Sequence, residues 1–528
     1  MISLLLACSA LLSACGGGGE DDVFAADAAV APATMPMDPA ALPLDLAAKS
    51  ARPLPVPAWT STVAAVTPPP TAARPDSAQK VGTRTAGTPY VEIFEPLATD
   101  ASGSATAGVL PNHWGGHQTR VTVHRDGTVR ALILFKDGAG NLAWRLMKRA
   151  AAENSAWVAE GSAKTQDDAV LLRDPVSDAA LVVAWPASVP TVYATPALTP
   201  RALPGTWQVM GKDSRHYSGA GIAPDGTLCL KASVELPTAV PTSNTDTSYL
   251  CGKPGLQGGA GQWFAQQTRH IGDRHAYDYL FPTVVDGSLS LVATATRDLY
   301  KTAAGLPDLA GFPYVFNGTR QYVAGASSSA RWSQADIVEP LPTPANATAS
   351  PLMWQVDGLL DSRQRLLVVT YADSPTDASM RGFHFKATNL AGATLASMKL
   401  GTLPPYGKVR LFEDARQRLW LLHSNAGTTQ SELTLYRVDE TTDGSGRTVF
   451  SLSGKTDLSD AAYPYAIEGS PMLAVARGGN DGSLAIDGLF AACATPYVRG
   501  TAFSSASCYG ADGRGTQRVF HFRIRLPD

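Results

Sequence analysis

Neither sign of charge dominates this chain. Lys and Arg total 43 and Asp and Glu 46, a formal net charge of -3, so no whole-surface field favours nucleic acid or another polyanion. Charged residues make up only 17% of the sequence, too few for many long surface helices with charged faces. No apolar run is long enough to span a bilayer, the amino-terminal one included. No nucleophile elbow, P-loop or dinucleotide fingerprint occurs in a suitable context, which leaves the common hydrolase and nucleotide-enzyme classes without support. Cys-x-x-Cys and adjacent His pairs are missing too, so no metal or cofactor is expected.

What the sequence has in quantity is Gly (48) and Pro (38), a composition of many turns joining short strands. It also has a distinctive amino terminus. Residues 3–12 form an apolar stretch of signal-peptide length. The following Leu12-Ser13-Ala14-Cys15 resembles the lipobox of bacterial lipoproteins. That resemblance implies cleavage before Cys15, lipidation of its sulfur and a membrane anchor, and Gly16 implies sorting to the outer membrane. Residues 1–14 are thus expected to be a signal peptide. Residues 15–88, rich in Ala and Pro and nearly free of aromatics, cannot bury enough apolar surface to fold and are expected to be a disordered tether.

Cys8 would leave with the signal, and Cys229, Cys251, Cys493 and Cys508 remain. An even set in an exported protein suggests two disulfides. Pairing Cys229 with Cys251 and Cys493 with Cys508 is favoured, since each pair is separated by about one β-hairpin and its loop. Four buried thiols are the alternative.

From residue 89 to 528 one unit recurs: an Asp-centred turn followed by a short Val, Leu and Ile strand. The turns carry Asp126, Asp178, Asp225, Asp286, Asp361, Asp414 and Asp481, at intervals of roughly 50 to 75 residues, enough for a four-stranded blade with variable loops. The expectation is an all-β, seven-bladed β-propeller. Asp and Gly would make the hairpin between the two inner strands of each blade. Segments 90–94 and 519–526 would close the ring. Two β-sandwich domains are the competing architecture, and six or eight blades a variant of the first.

Propellers place ligands near the loops leading into the inner strands. Three histidines lie there, each shortly before a turn: His117, His216 and His275, the last within Arg274-His275-Ala276-Tyr277-Asp278-Tyr279. They could converge on one axis as a binding site, or simply cap blades and bond neighbouring ones. Residues 113–332 resemble propellers with bacterial neuraminidase-type repeats, a group that includes ulvan lyases and related polysaccharide lyases. The resemblance implies that His117, Tyr279 (or Tyr277) and Arg297 are catalytic, with Arg297 neutralising a uronate carboxylate. His216, Arg274, His275 and Tyr277 would bind substrate. The chain departs from that group at Lys136-Asp137, where a second histidine would stand.

Two functions follow as expectations. One is an envelope lipoprotein whose propeller binds, and as a polysaccharide lyase would cleave, a uronate-containing polysaccharide. The other is a non-catalytic propeller that scaffolds an envelope protein complex.

Overall fold

The computed structural model describes residues 80–81, 87–96, 117–207, 219–338, 352–493 and 517–528, several connecting loops inside these ranges excepted. The signal segment, Cys15, most of the tether, His216 and Cys508 lie outside the described residues, but Lys80–Val81, within the expected tether, form a two-residue strand paired with Tyr90–Pro96. Among the described residues there is no α-helix, only strands and two short 3-10 turns.

The strands form seven antiparallel blades in chain order: residues 121–164, 170–202, 219–270, 274–338, 352–399, 408–457, and a seventh built from 467–525. Blades 4 and 5 are joined by one parallel pair, Asn317 on the third strand of blade 4 with Met353 on the inner strand of blade 5. The seventh blade is where the ring closes. Its fourth strand is Tyr90–Pro96, paired antiparallel with Gln517–Arg525 from far along the chain, and the short Lys80–Val81 pairs outside it.

Burial explains why the blades stay together. Each of the seven blade-to-blade interfaces has its own apolar cluster, from Leu132, Trp144 and Val182 between blades 1 and 2 to Phe412, Trp420 and Phe522 between blades 6 and 7. Alternating strands bury both faces, so the inner ones read as near-continuous apolar runs. Ala180–Ala184 is buried at every position. The interface between blades 4 and 5 adds polar contacts to its apolar cluster. There Gln355 donates through its backbone to Thr296 Oγ1 (3.0 Å) and through its side chain to Thr294 Oγ1 (2.8 Å).

The inner hairpins fall where the Asp-centred turns were expected, but the aspartates do not all do one job. In blades 1 and 3, Asp126 and Asp225 cap the turn and Gly127 and Gly226 take the left-handed position after them. In blades 5 and 6, Asp361 and Asp414 open the turn, and the left-handed residue is Gln364 or Gln417. Blade 2 corrects the expectation. Asp174 caps the turn, whereas Asp178 occupies the left-handed position (φ 63°) and reaches blade 1, accepting from the backbone of Arg125. The blade 4 turn, Asp286-Gly287, lies outside the described residues between the paired Val285 and Ser288.

Blade 7 departs most. Its inner strand Ile467–Leu473 and the next, Ala485–Cys493, are not joined by a tight hairpin. The connection makes a 3-10 turn, Ala476–Gly478, against the inner strands of blades 2, 3 and 4. Asp481, expected in a hairpin, instead receives Arg173 Nη1 at 2.7 Å. Asn480 Oδ1 accepts the Val123 amide of blade 1 (2.8 Å). One loop thus plugs the axis and ties blade 7 to several others. Gly479 is required there: its φ is +81°, and a Cβ would sit 1.9 Å from the Arg173 carbonyl oxygen.

Candidate functional site

Neighbouring inner strands run in the same direction, as successive contacts show. Gly219 and Gly221 of blade 3 lie against Asp278 and Leu280 of blade 4. Arg410 and Leu411 of blade 6 bond Val356 and Asp357 of blade 5. All inner strands therefore begin at one end of the axis, opposite the turns. Side chains from several blades meet near that end.

His117, from the approach to blade 1, packs on two tyrosines of blade 4. Its ring lies 5.6 Å from that of Tyr277 and 6.2 Å from that of Tyr279. This contact spans the axis, since blades 1 and 4 are not neighbours. Tyr277 lies inside, and Tyr279 closes, an irregularity in the blade 4 register between Ala276 and Tyr279. Tyr277 adopts φ +59°, a conformation that a bulky side chain holds only when its surroundings impose it. Both tyrosines, two positions apart in the chain, face His117 across the axis, and the irregularity falls at the position of Tyr277 and Asp278.

Below this contact lies a charged cluster. The Tyr279 hydroxyl donates to the Val356 carbonyl (2.7 Å), which also accepts from Arg410 Nη1 (3.1 Å). Arg410 Nε donates to the Pro471 carbonyl (2.6 Å). Asp357 accepts from the Leu411 amide (2.7 Å) and from Arg477 Nη1 (3.4 Å). The Arg477 guanidinium stands 4.8 Å from the Tyr279 ring centroid. Burial, helped by the Asp357 charge, pushes the Tyr279 phenol well above its ordinary range, with Arg410 and Arg477 opposing.

Lys408 starts the inner strand of blade 6. Burial and the nearby Arg410 charge depress its amine to about 7.

Of the residues expected to form the site, the structure brings His117, Tyr277 and Tyr279 together. It places His117 and Tyr279 in the interior, each 1% exposed. The Tyr279 hydroxyl donates from blade 4 to blade 5, and Tyr277, at 8%, is the more exposed of the two tyrosines. For Arg274, His275 and Arg297 the structure gives the backbone register, in which His275 pairs with Arg297 and Arg274 with Asp298. Cys229 and Cys251 form a disulfide across a directly paired position of blade 3. Cys493 ends a strand, and its expected partner lies outside the described residues.

Sequence reasoning missed Arg410, Asp357, Arg477, Lys231 and Asp278. A signal existed in Val409-Arg410-Leu411, Val356-Asp357-Gly358 and Leu230-Lys231-Ala232. A lone charge inside an inner-strand apolar run must find a buried partner.

No family model matches the chain. No curated protein matches it either. Among solved structures it is similar to polysaccharide lyase Uly1, at 10% identity and TM-score 0.47, over 82% of this chain and 95% of that one. It is also similar to an α-L-arabinanase of Penicillium chrysogenum (10%, TM-score 0.37, 84% and 99%). A third similar structure is BBS1N in complex with ARL6DN (12%, TM-score 0.38, 82% and 98%). At such identities these likenesses concern the fold alone.

Proposed function

We propose that this is an exported envelope lipoprotein, anchored through Cys15, whose propeller binds a uronate-containing polysaccharide and cleaves it by β-elimination. The site is the end of the axis where the inner strands begin. The observation that carries the reading is the contact of His117 with a left-handed Tyr277 from a distant blade. Elimination needs a base for the proton at C5, a proton for the departing glycosidic oxygen and a cation beside the carboxylate. Tyr277 and His117 suit the first two roles. Arg297, opposite His275 in the blade 4 register, suits the third, as the resemblance to the lyases implies. The Cys229–Cys251 disulfide supports an oxidising compartment.

A binding measurement tests the site independently of turnover. Affinity electrophoresis of the full chain through polyuronate should show retardation that carboxyl reduction of the polymer abolishes and His117→Ala weakens. Equal retardation by the reduced polymer would remove the uronate from the proposal. The second reading, a non-catalytic propeller that holds a polysaccharide or an envelope protein, is favoured by the near-complete burial of His117 and Tyr279. Binding without cleavage would select it.

A further inference from the structure

Lys231 and Asp278 form an ion pair with neither side chain exposed at all. Lys231 lies on the second strand of blade 3, directly opposite Gly219 on the inner strand, and its Nζ donates to Asp278 Oδ2. Asp278 sits inside the irregular segment of blade 4, between Tyr277 and Tyr279. A buried pair of this kind is a poor source of net stability, because removing two charges from water costs about as much as their attraction returns. Burial pushes the Asp278 carboxyl up and the Lys231 amine down, each opposed by the other's charge. Stability alone is therefore a weak reason for the pair to be there.

Its placement supplies a better one. Tyr277, left-handed and packed on His117, lies within the bulge. The Asp278 side chain reaches back into blade 3, to Lys231. Gly219 makes the approach close: a Cβ there would lie 2.5 Å from the Asp278 carbonyl oxygen. Blade 3 thus grips the bulge by a backbone contact and an ion pair. The neighbouring strand that carries Lys231 is itself stapled by the Cys229–Cys251 disulfide, one pair further along the same face.

We infer that Lys231 and Asp278 are positioning residues, whose ion pair holds the bulge so that Tyr277 packs on His117. The geometric part stands by itself, and its consequence for polysaccharide rests on the function proposed above.

The test uses Asp278→Asn, Lys231→Met and the double variant Lys231→Met/Asp278→Leu in the full chain. The double variant replaces the pair by apolar groups of similar size, so it should recover folding stability if either single change costs it. The readouts are the His117 imidazole resonances, assigned by their loss in His117→Gln, and hydrogen exchange of residues 274–285. In every folded variant we expect those resonances to move toward their positions in Tyr277→Ala, and exchange in the segment to rise by roughly tenfold. A double variant with wild-type stability but a displaced His117 signal separates positioning from general support. Unchanged resonances and exchange in the folded double variant would overturn the inference. Polyuronate retardation is then compared with wild type, with a roughly tenfold loss expected. Should wild type itself bind no polyuronate, the proposed function fails while the His117 signal still decides the role of the pair.

Discussion

At the scale of single residues, the two tyrosines of the bulge should behave differently. Tyr279→Phe removes one of two donors to the Val356 carbonyl. Its cost in a denaturant titration should be about 1 kcal/mol, with binding kept. Tyr277→Phe keeps the ring packed on His117, so the loss of its hydroxyl should appear in function. A second residue-scale test concerns His521, buried against Asp487 (2.6 Å) and stacked on Phe94 of the closing strand. Burial lowers its imidazole to about 4 from an ordinary 6.5, partly offset by Asp487. Burial also works to raise Asp487, but Arg523 and the His521 hydrogen bond outweigh it and hold the carboxyl at about 2. Both folded values lie below the ordinary ones, so the unfolded chain takes up protons first as pH falls. The stability from His521 is complete above pH 6.5 and lost towards pH 4, and that from Asp487 is lost below 3.8. Unfolding midpoints measured from pH 8 to 4 should fall below about pH 6.5, by at most about 3 kcal/mol for the His521 contribution. The slope between pH 6.5 and 4 should flatten in His521→Gln. A slope unchanged in that variant would remove His521 as its source.

At the scale of elements, the axial plug makes the sharpest prediction. Gly479→Ala must relieve both a left-handed φ and a contact of 1.9 Å with the Arg173 carbonyl, and should cost about 3 kcal/mol or more. Gly444→Ala, on a turn with nothing within 4 Å, should stay within about 0.5 kcal/mol. Comparable thermal shifts for the two would show that the plug bears no load. The same comparison marks what could be read in the sequence. The turns of blades 1, 3, 5 and 6 were legible because Asp caps and Val, Leu and Ile strands are local signals. The role of Asp178 was not, because Asp174 four residues earlier offers the same chemistry and only the ring shows which one faces blade 1. The plug was hidden for a related reason. A single 3-10 turn has no periodicity, and Gly478-Gly479-Asn480-Asp481-Gly482 reads as an ordinary hairpin. His117 was legible as a candidate and Tyr277 as an alternative to Tyr279. The bulge that decides between the tyrosines is invisible to an alternating pattern.

At the scale of the whole molecule, the ring depends on the pairing of its two chain ends. Val91 and Ile93 of the closing strand are buried in the cluster between blades 6 and 7, and Glu92 accepts from Arg525 (3.2 Å). Deleting residues 80–96 would expose both those contacts and the edge of Gln517–Arg525. A lower unfolding temperature and concentration-dependent association in gel filtration should follow. A monomer of unchanged stability would show that the strand is dispensable. The ring also accounts for the location of the site, since only a closed arrangement brings residues from blades 1 and 4 into contact.

The most direct test of the functional account is ultraviolet absorbance of the unsaturated uronate that elimination creates, followed with the full chain against a panel of polyuronates. The account predicts product from wild type, none from Tyr277→Phe or Arg297→Ala, and most of the rate retained in Tyr279→Phe. No product from folded wild type across the panel, or activity that survives Tyr277→Phe and disappears in Tyr279→Phe, would contradict it.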